Sequence, residues 1–453
     1  MPACIYTTLD HLRSTELDMV RTGLPPPPRF RPAVVARLTA GPNQTGAHEG
    51  LSEHQGRLGV HPQGGKWLID VLQQSGLRGR GGAWFPTWRK WAGVAQHSDG
   101  DAIVVINASE GEPLSQKDRR LVAFRPHLIL DGAVLAAETL GAHDIVFYVS
   151  RGTDESERTL QRAIKERVKA GADEPRIRVL QTAHRYIAGE SSAVVQRVSG
   201  GPSKPKFVLQ RSAEKGVNGR PTLIQNAETL AHVAMIARFG SDWFRQLGTQ
   251  SSPGSTLMTV LGNVRRPGVY EVDLGARMSG VIAAAGGTIT PAGGALLGGY
   301  FGTWLSPASL EELPLDVDTL KTVHGASLGC GVLAILPQGG CGLVEAARIF
   351  GYLADETAGQ CGPCVNGLAA IAEAMDRIAI SDAAPSDVDR INRWIEMVRG
   401  RGACHHPDGA VGLLSSALLV FRDHLGNHFS GRRCYGAQAV GFPQPPAPGR
   451  GWK

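Results

Sequence analysis

Gly76-Leu77-Arg78-Gly79-Arg80-Gly81-Gly82-Ala83-Trp84-Phe85-Pro86-Thr87 is the stretch on which the reading of this chain turns. Four glycines fall within positions 76–82, with two arginines between them. Glycine lets the backbone approach a ligand closely and take positive φ, so that successive amide N–H groups can cradle an anion. The arginines add planar, permanently charged donors of the kind phosphate takes. The run fits neither G-x-x-x-x-G-K-[ST] nor the strand-borne G-x-G-x-x-G of a dinucleotide fold. It points to a phosphorylated cofactor without naming one. The rival reading is an Arg-Gly-Gly nucleic-acid segment. Those come as repeats in disordered chain, whereas this run occurs once and leads into Trp84, Phe85 and Trp88.

Outward from this run, residues 102–106 form a short apolar segment of buried-strand type that ends in Asn107 and an acidic turn. An apolar helix is predicted over 128–140, a strand within 143–150, an amphipathic helix over 154–170 and a strand near 177–180. Strand–helix–strand alternation argues for a mostly parallel sheet covered on both sides. A further helix is predicted over 226–239. From 256 to 287 the texture becomes strand, turn, strand, helix, as in a small mixed α/β module, and from 343 to 425 helical periodicity dominates. Residues 1–55, with Pro25 to Pro28, and the last twenty residues read as irregular.

The 453 residues allow about three domains with real cores. The 58 glycines, near twice average usage, are spread over many loops and imply tight turns. Net charge is only +6, from 47 basic against 41 acidic residues, which suits local anion sites or an acidic protein partner and does not make a nucleic-acid binder. No apolar run is long enough to span a membrane, and the first residues lack a signal-peptide pattern. Seven cysteines, sparse and odd in number, do not make a disulfide framework and suggest a cytoplasmic setting.

Cys361-Gly362-Pro363-Cys364, with Cys404 forty residues on, is the second chemical feature. Two cysteines at C-x-x-C spacing can share one metal or cluster, with a third arriving from a distant loop. A thioredoxin-type dithiol is the rival, but that should follow a strand in a βαβ unit, and these surroundings read as helical. Cys4, Cys330, Cys341 and Cys434 read as buried or incidental thiols.

With both features placed, the chain resembles the NADH-oxidising flavoprotein subunit of respiratory complex I, a family with relatives among NAD-linked hydrogenases and formate dehydrogenases. Residues 79–87 with Lys90 and Trp91 resemble the flavin loop. Residues 107–113 followed by Lys117-Asp118-Arg119 resemble the second cofactor loop, and Tyr186-Ile187-Ala188-Gly189-Glu190-Ser191 with Lys204-Pro205-Lys206-Phe207 the third. Residues 221–230 resemble the segment closing the flavin site, and 262–268 the opening of a soluble-ligand-binding β-grasp domain.

The resemblance implies an α/β multidomain chain. It would comprise an irregular extension (1–55), a Rossmann-like FMN and NADH-binding α/β domain (56–248), a β-grasp domain (249–335), a C-terminal helical iron–sulfur bundle (336–430) and an irregular tail (431–453). It implies FMN held by Gly79, Arg80, Gly81, Gly82, Lys90, Asn107, Glu110, Tyr186, Gly189, Glu190, Gln225 and Asn226. Nicotinamide nucleotide contacts would come from Phe85, Glu112, Lys204 and Phe207, and cluster ligation from Cys361, Cys364 and Cys404. Direct hydride transfer to the flavin then needs no catalytic acid or base.

The chain departs from the family at several of these positions. Trp84 and Trp88 stand where glycine is usual, and an indole there could cover the flavin face or narrow nucleotide entry. Ser109 replaces an aspartate and Gln225 an asparagine. Ser191 replaces a glutamate near the adenosine ribose that would repel a 2′-phosphate, so NADPH is expected beside NADH as substrate. Ala358 replaces the first cluster cysteine. Three thiolates could hold a 3Fe–4S centre, a 4Fe–4S centre with a non-cysteine fourth ligand, or nothing. The resemblance implies an NAD(P)H oxidoreductase subunit passing single electrons to an iron–sulfur acceptor, such as a 2Fe–2S subunit or a ferredoxin. A free-standing diaphorase and a non-catalytic nucleotide-binding scaffold are the alternatives.

Overall fold

Ile103 to Ile106 are all branched and apolar, a composition that suits a strand covered on both faces. In the computed structural model, which describes residues 32–40, 48–431, 434, 441–445, 447 and 451–452, this is the strand β1, Ile103–Ala108. Strands β2 (Asp144–Ser150) and β3 (Arg176–Thr182) extend the sheet on one side and β4 (Thr222–Asn226) on the other. All pairings are parallel and the order is β3-β2-β1-β4, with Ile103 opposite Asp144 and Thr222, and Asn107 opposite Asn226.

Strand periodicity divides the two faces of this sheet. Val104, Ile106, Phe147 and Leu223 pack with the helices Pro126–Leu140 and Ala227–Arg245. Ile103, Val105, Val146 and Ile224 pack with Val194 and Val198 of the helix Ser191–Val198. Gly132 lets the first two helices touch: a Cβ there would lie 2.0 Å from the Leu230 carbonyl oxygen. Pro126 opens its helix at a position where no N–H is needed, and Gly141, at φ 66°, closes it.

A second sheet has the order β6-β5-β9-β7-β8. Its strands are β5 (Ser255–Gly262), β6 (Gly268–Asp273), β7 (Ala292–Leu297), β8 (Thr303–Leu305) and β9 (Val332–Pro337). Only β5 and β9 pair in parallel. Met258, Val260, Leu333 and Ile335 face the helix Met278–Ala284, whereas Val332, Ala334 and Leu336 face a helical module that begins at Gly342–Asp355. That module continues through a π-helical turn, Pro363–Leu368, and the helices Ala369–Ala379, Pro385–Val398, His406–Val420 and Arg422–Phe429.

The strands and helices expected over 102–170 lie within a few residues of their predicted places. The expected irregular segments at 1–31 and 41–47, and most of 431–453, lie outside the described residues. The helix Leu51–Leu58 runs across the expected boundary at residue 55. Among the described residues no helix is long and apolar enough to cross a membrane.

Candidate functional site at the ends of the first sheet

In an open parallel sheet, ligands bind outside the carboxyl ends of the strands where the strand order reverses. Here that point lies between β1 and β4, and the adjacent residues Asn107 and Asn226 mark it. Asn107 Nδ2 donates to the Gly189 carbonyl at 2.9 Å, while its Oδ1 accepts from Ser109 Oγ at 2.8 Å. Asn226 caps the helix Ala227–Arg245 through Oδ1 and donates from Nδ2 to Asp118 at 2.7 Å. Three segments far apart in sequence thus meet at one edge.

The glycine run forms a tight loop over this edge. Gly76, at φ 70°, ends the helix Trp67–Ser75; the Gly79 N–H then donates to the Phe85 carbonyl and Arg78 bridges Pro86. A Cβ on Gly81 would come within 3.2 Å of Asn226 Cβ, so the loop lies directly on the end of β4. Lys90, in the helix Thr87–His97, donates to the Ile224 carbonyl at 3.0 Å. It has no carboxylate partner among the described residues, and burial lowers its pKa. Gln225 Oε1 is also buried without a partner.

The arginines do not act as expected. The Arg80 guanidinium is 2% exposed, donates to the carbonyls of Ser255 and Arg78, and lies over the Trp84 ring at 4.5 Å. Burial holds its pKa down to about 10. Its backbone N–H is taken by Thr229 Oγ1. Arg78 forms a bidentate pair with Asp318 at 2.9 Å. Both side chains fasten the loop to neighbouring elements: a buried guanidinium needs acceptors, and for Arg80 the Ser255 and Arg78 carbonyls supply them.

The indoles also turn away. Trp84 takes a left-handed φ of 52°, buries its ring against Met258 and Val260, and donates Nε1–H to the Gly329 carbonyl at 2.9 Å. Trp88 packs against the core under the first sheet. Neither borders the cavity that opens beside the third loop.

In the second loop the Glu110 carboxylate accepts from Ser115 Oγ and from the N–H groups of Asp118 and Arg119, capping the helix Lys117–Phe124. Glu112 is buried and accepts from Tyr186 OH at 2.9 Å and from the backbone N–H groups of Tyr300 and Leu114. Burial pushes its pKa up to about 7, against the pull of those donors. Glu110 and Glu112 thus hold the loop from within, and Tyr186 OH bonds Glu112 while its ring packs against Tyr300 and Phe301.

Lys117 lies between Asp118 at 2.8 Å and Glu228 at 3.0 Å, all of them buried. Glu228 also accepts from Thr256 Oγ1 and the Leu257 N–H on β5. Burial opposes its ionisation, yet Lys117 holds its pKa down to about 2. This network joins the second loop, the helix after β4 and the second sheet. Its members stand in the cofactor-loop motifs, but nothing in their spacing reveals that they meet.

The third loop places Glu190 at the N-terminus of the helix Ser191–Val198, where its carboxylate accepts from the N–H groups of Ser192 and Ala193. Gly189 is packed tightly, since a Cβ would meet Ser109 Oγ at 2.7 Å. A cavity of about 1240 Å³ opens between this helix and the helix Thr87–His97. Phe85, Lys90, Glu190, Ser191, Lys206 and Phe207 line it. Phe85 and Phe207 are 46% and 70% exposed, as stacking platforms awaiting a flat partner would be. Lys204 is not among the lining residues; it donates to the Ala358 carbonyl at 3.1 Å and lies 5.1 Å from the Trp452 ring centre. Lys206, two residues on, lines the cavity wall, and the motif alone does not show which of the two lysines faces the cavity.

Cys361 and Cys364 flank the start of the π-helical turn, and Cys404 precedes the helix His406–Val420. All three are free thiols. Their three sulfurs do not all lie within 4.8 Å of one another, as the ligands of one ion would. Burial raises the Cys364 pKa to about 12, with Thr357 donating to the sulfur and Cys361 and Cys404 nearby. Neighbouring thiols are the ligand type that an iron–sulfur cluster takes. Ala358 is buried in the same connection.

The Nuo51 FMN-binding domain matches residues 72–235, the SLBB domain residues 257–297, and the NADH-ubiquinone oxidoreductase-F iron-sulfur binding region residues 345–428. The second F-type subunit of NADH-quinone oxidoreductase from Rhizobium meliloti is 30% identical over 378 residues, covering 81% of this chain and 90% of the relative. The corresponding F-type subunit of Mycobacterium tuberculosis is 32% identical over 383 residues, covering 81% and 85%. The crystal structure of an NAD+-reducing [NiFe]-hydrogenase in its H2-reduced state superposes with a TM-score of 0.74 at 28% identity over 80% of this chain. This chain spans 62% of that hydrogenase chain, less than two thirds. With the three family matches in one order along the chain, it belongs to the family of F-type subunits of NADH-quinone oxidoreductase, whose members are NADH-oxidising flavoproteins.

Proposed function

We propose that this chain draws hydride from a nicotinamide nucleotide at the end of the first sheet and delivers electrons one at a time to an iron–sulfur acceptor. The observation that carries the reading is Lys90: a half-buried ammonium, unmatched by any carboxylate among the described residues, on the wall of a cavity with two exposed aromatic rings. An unmatched cation beside glycine backbone fits the phosphate of FMN. Bound there, FMN supplies two-electron acceptance and one-electron release.

The remaining work belongs to this chain. Gly79, Gly81 and Gly82 keep side chains off the end of β4, and Asn107, Gly189, Gln225 and Asn226 form the floor. Phe85 and Phe207 are placed to stack the nucleotide's rings, and Lys206 to meet its phosphates. Ser191, in place of a carboxylate, leaves room for a 2′-phosphate, so NADPH is accepted beside NADH. No side chain is needed as an acid or base. Cys361, Cys364 and Cys404 would hold a 3Fe–4S centre, or a 4Fe–4S centre with one non-cysteine ligand. The acceptor is a 2Fe–2S subunit or a ferredoxin, and residues 56–248, 249–335 and 336–430 act as the flavin, β-grasp and cluster units.

The test is the visible spectrum of anaerobically purified protein. A flavin band that bleaches when NADH or NADPH is added supports the reading. A colourless protein that takes up no FMN leaves only the scaffold role.

A further inference from the structure

A second group of metal-type ligands lies elsewhere in the helical module. Cys341, His428 and Cys434 are 3%, 0% and 5% exposed, and their ligand atoms all lie within 4.8 Å of one another. Cys341 Sγ is 3.3 Å from His428 Nε2, and Cys434 Sγ is 3.7 Å from His424 Nδ1. His424 and His428 are four residues apart on the helix Arg422–Phe429, so both rings come off one face. Neither cysteine is in a disulfide.

We propose that Cys341, His428 and Cys434 form a structural Zn2+ site, with His424, which contacts Cys434 but lies outside that close group, turning in as the fourth ligand. Zinc bonds of about 2.3 Å to sulfur and about 2.0–2.1 Å to nitrogen, at tetrahedral angles, put neighbouring ligand atoms about 3.3–3.8 Å apart. The two sulfur–nitrogen separations fall within that span. The surroundings are arranged as for a metal. Ser381, whose backbone takes a left-handed φ of 62°, sets its hydroxyl 3.2 Å from His428 Nδ1, which leaves Nε2 directed at the sulfur. Cys341 stands at the N-cap position of the helix Gly342–Asp355, and burial holds its thiol pKa up to about 12 against the pull of the Leu343 and Val344 N–H groups. Two thiols and an imidazole meeting inside an otherwise apolar core have no packing reason to be together.

Binding would release two protons, one from each thiol, and give a neutral site with no redox chemistry. The ion would fasten the segment at residue 434 to the junction of β9 and the helical module. The 14-residue helix Gly342–Asp355 separates Cys341 from the connection carrying Ala358 and Cys361, a distance of about 20 Å, so these thiols are not part of the other cysteine group.

The experiment is metal analysis of the full-length protein after dialysis against micromolar zinc and then metal-free buffer, with X-ray absorption at the zinc edge. We expect about one zinc per chain with two sulfur and two nitrogen neighbours. The zinc should persist in the Cys361→Ser variant and fall at least tenfold in Cys341→Ser, Cys434→Ser or His428→Gln. Wild-type protein retaining less than a tenth of an equivalent, a zinc edge without two sulfurs, or a Cys341–Cys434 disulfide in freshly purified protein would each overturn the proposal. So would zinc lost in Cys361→Ser and kept in Cys341→Ser. Should the variants fail to fold, the wild-type content and edge decide alone.

Discussion

The Lys90 ammonium donates to the Ile224 carbonyl at 3.0 Å, one residue before the unpartnered Gln225 amide oxygen. That carbonyl takes one of the ammonium's three donors, and a phosphate would take another. Lys90→Met should therefore weaken FMN binding. A hydrogen bond to a charged group is worth about 1.5–3 kcal/mol, or roughly 10–150-fold in affinity. Flavin titration of the apoprotein reads this directly, while the melting temperature without flavin should hardly move. Unchanged flavin affinity would remove Lys90 from the site.

Arg80 gives the opposite pattern. Its guanidinium serves the Ser255 and Arg78 carbonyls and stands 3.9 Å from Glu228. Arg80→Leu leaves those buried acceptors unmatched and should destabilise the protein by about 3–5 kcal/mol even without cofactor. Chemical denaturation of flavin-free wild type and variant separates the two roles. A variant as stable as wild type that has lost flavin affinity would return Arg80 to the phosphate.

These two residues show what the sequence carries and what it hides. The fully buried β1 and the helix Pro126–Leu140 were legible, because burial on both faces forces continuous apolar runs. Strand β4 was not: Thr222, Gln225 and Asn226 interrupt its apolar pattern, since the polar ends of that strand form the site. Strands β7 and β8 escaped because Gly293, Gly294 and the glycines of 298–302 read as loop. Within the site, residue type predicted chemistry but not direction. Arg80, Glu110 and Lys204 have the right groups for a nucleotide and bond inward instead. Lys90 and Arg80 stand ten positions apart in one motif, and only packing separates their functions.

Ser191 opens its helix on the wall of the cavity, with Lys206 on the same wall. A carboxylate restored there would repel a 2′-phosphate and tolerate a 2′-hydroxyl. Ser191→Glu should raise the KM for NADPH about tenfold or more, with the NADH value changed little. Steady-state kinetics with both nucleotides check this. A strong NADH preference in the wild type that the substitution leaves unchanged would end the idea.

Glu112 should make stability depend on pH. Burial raises its carboxyl from 4.5 to about 7 in the folded protein, so between those values the folded state holds a proton that the unfolded chain has released. Its contribution is full below about 4.5 and is lost as pH rises through 7, at a cost on the order of 3 kcal/mol. Glu112→Gln cannot ionise, so melting curves from pH 5 to 8 should fall less steeply for the variant than for wild type. Parallel curves would mean that the carboxyl ionises freely where it stands.

Ala358 lies beside the thiols at the point where a fourth cysteine would complete C-x-x-C-x-x-C spacing, and Lys204 fixes its carbonyl at 3.1 Å. The backbone at this position is therefore held by a bond that a side-chain change does not touch. Three thiolates leave one iron of a cubane without a cysteine, the iron most easily lost to oxygen. Ala358→Cys should bring the iron content of aerobically handled protein towards four per chain, whereas Cys364→Ser should remove most of it. Iron and sulfide assays with low-temperature electron paramagnetic resonance report both. If Ala358→Cys and wild type hold the same iron after exposure to air, the fourth ligand already exists elsewhere in the chain; if neither holds any, the three thiols only pack the connection between two helices.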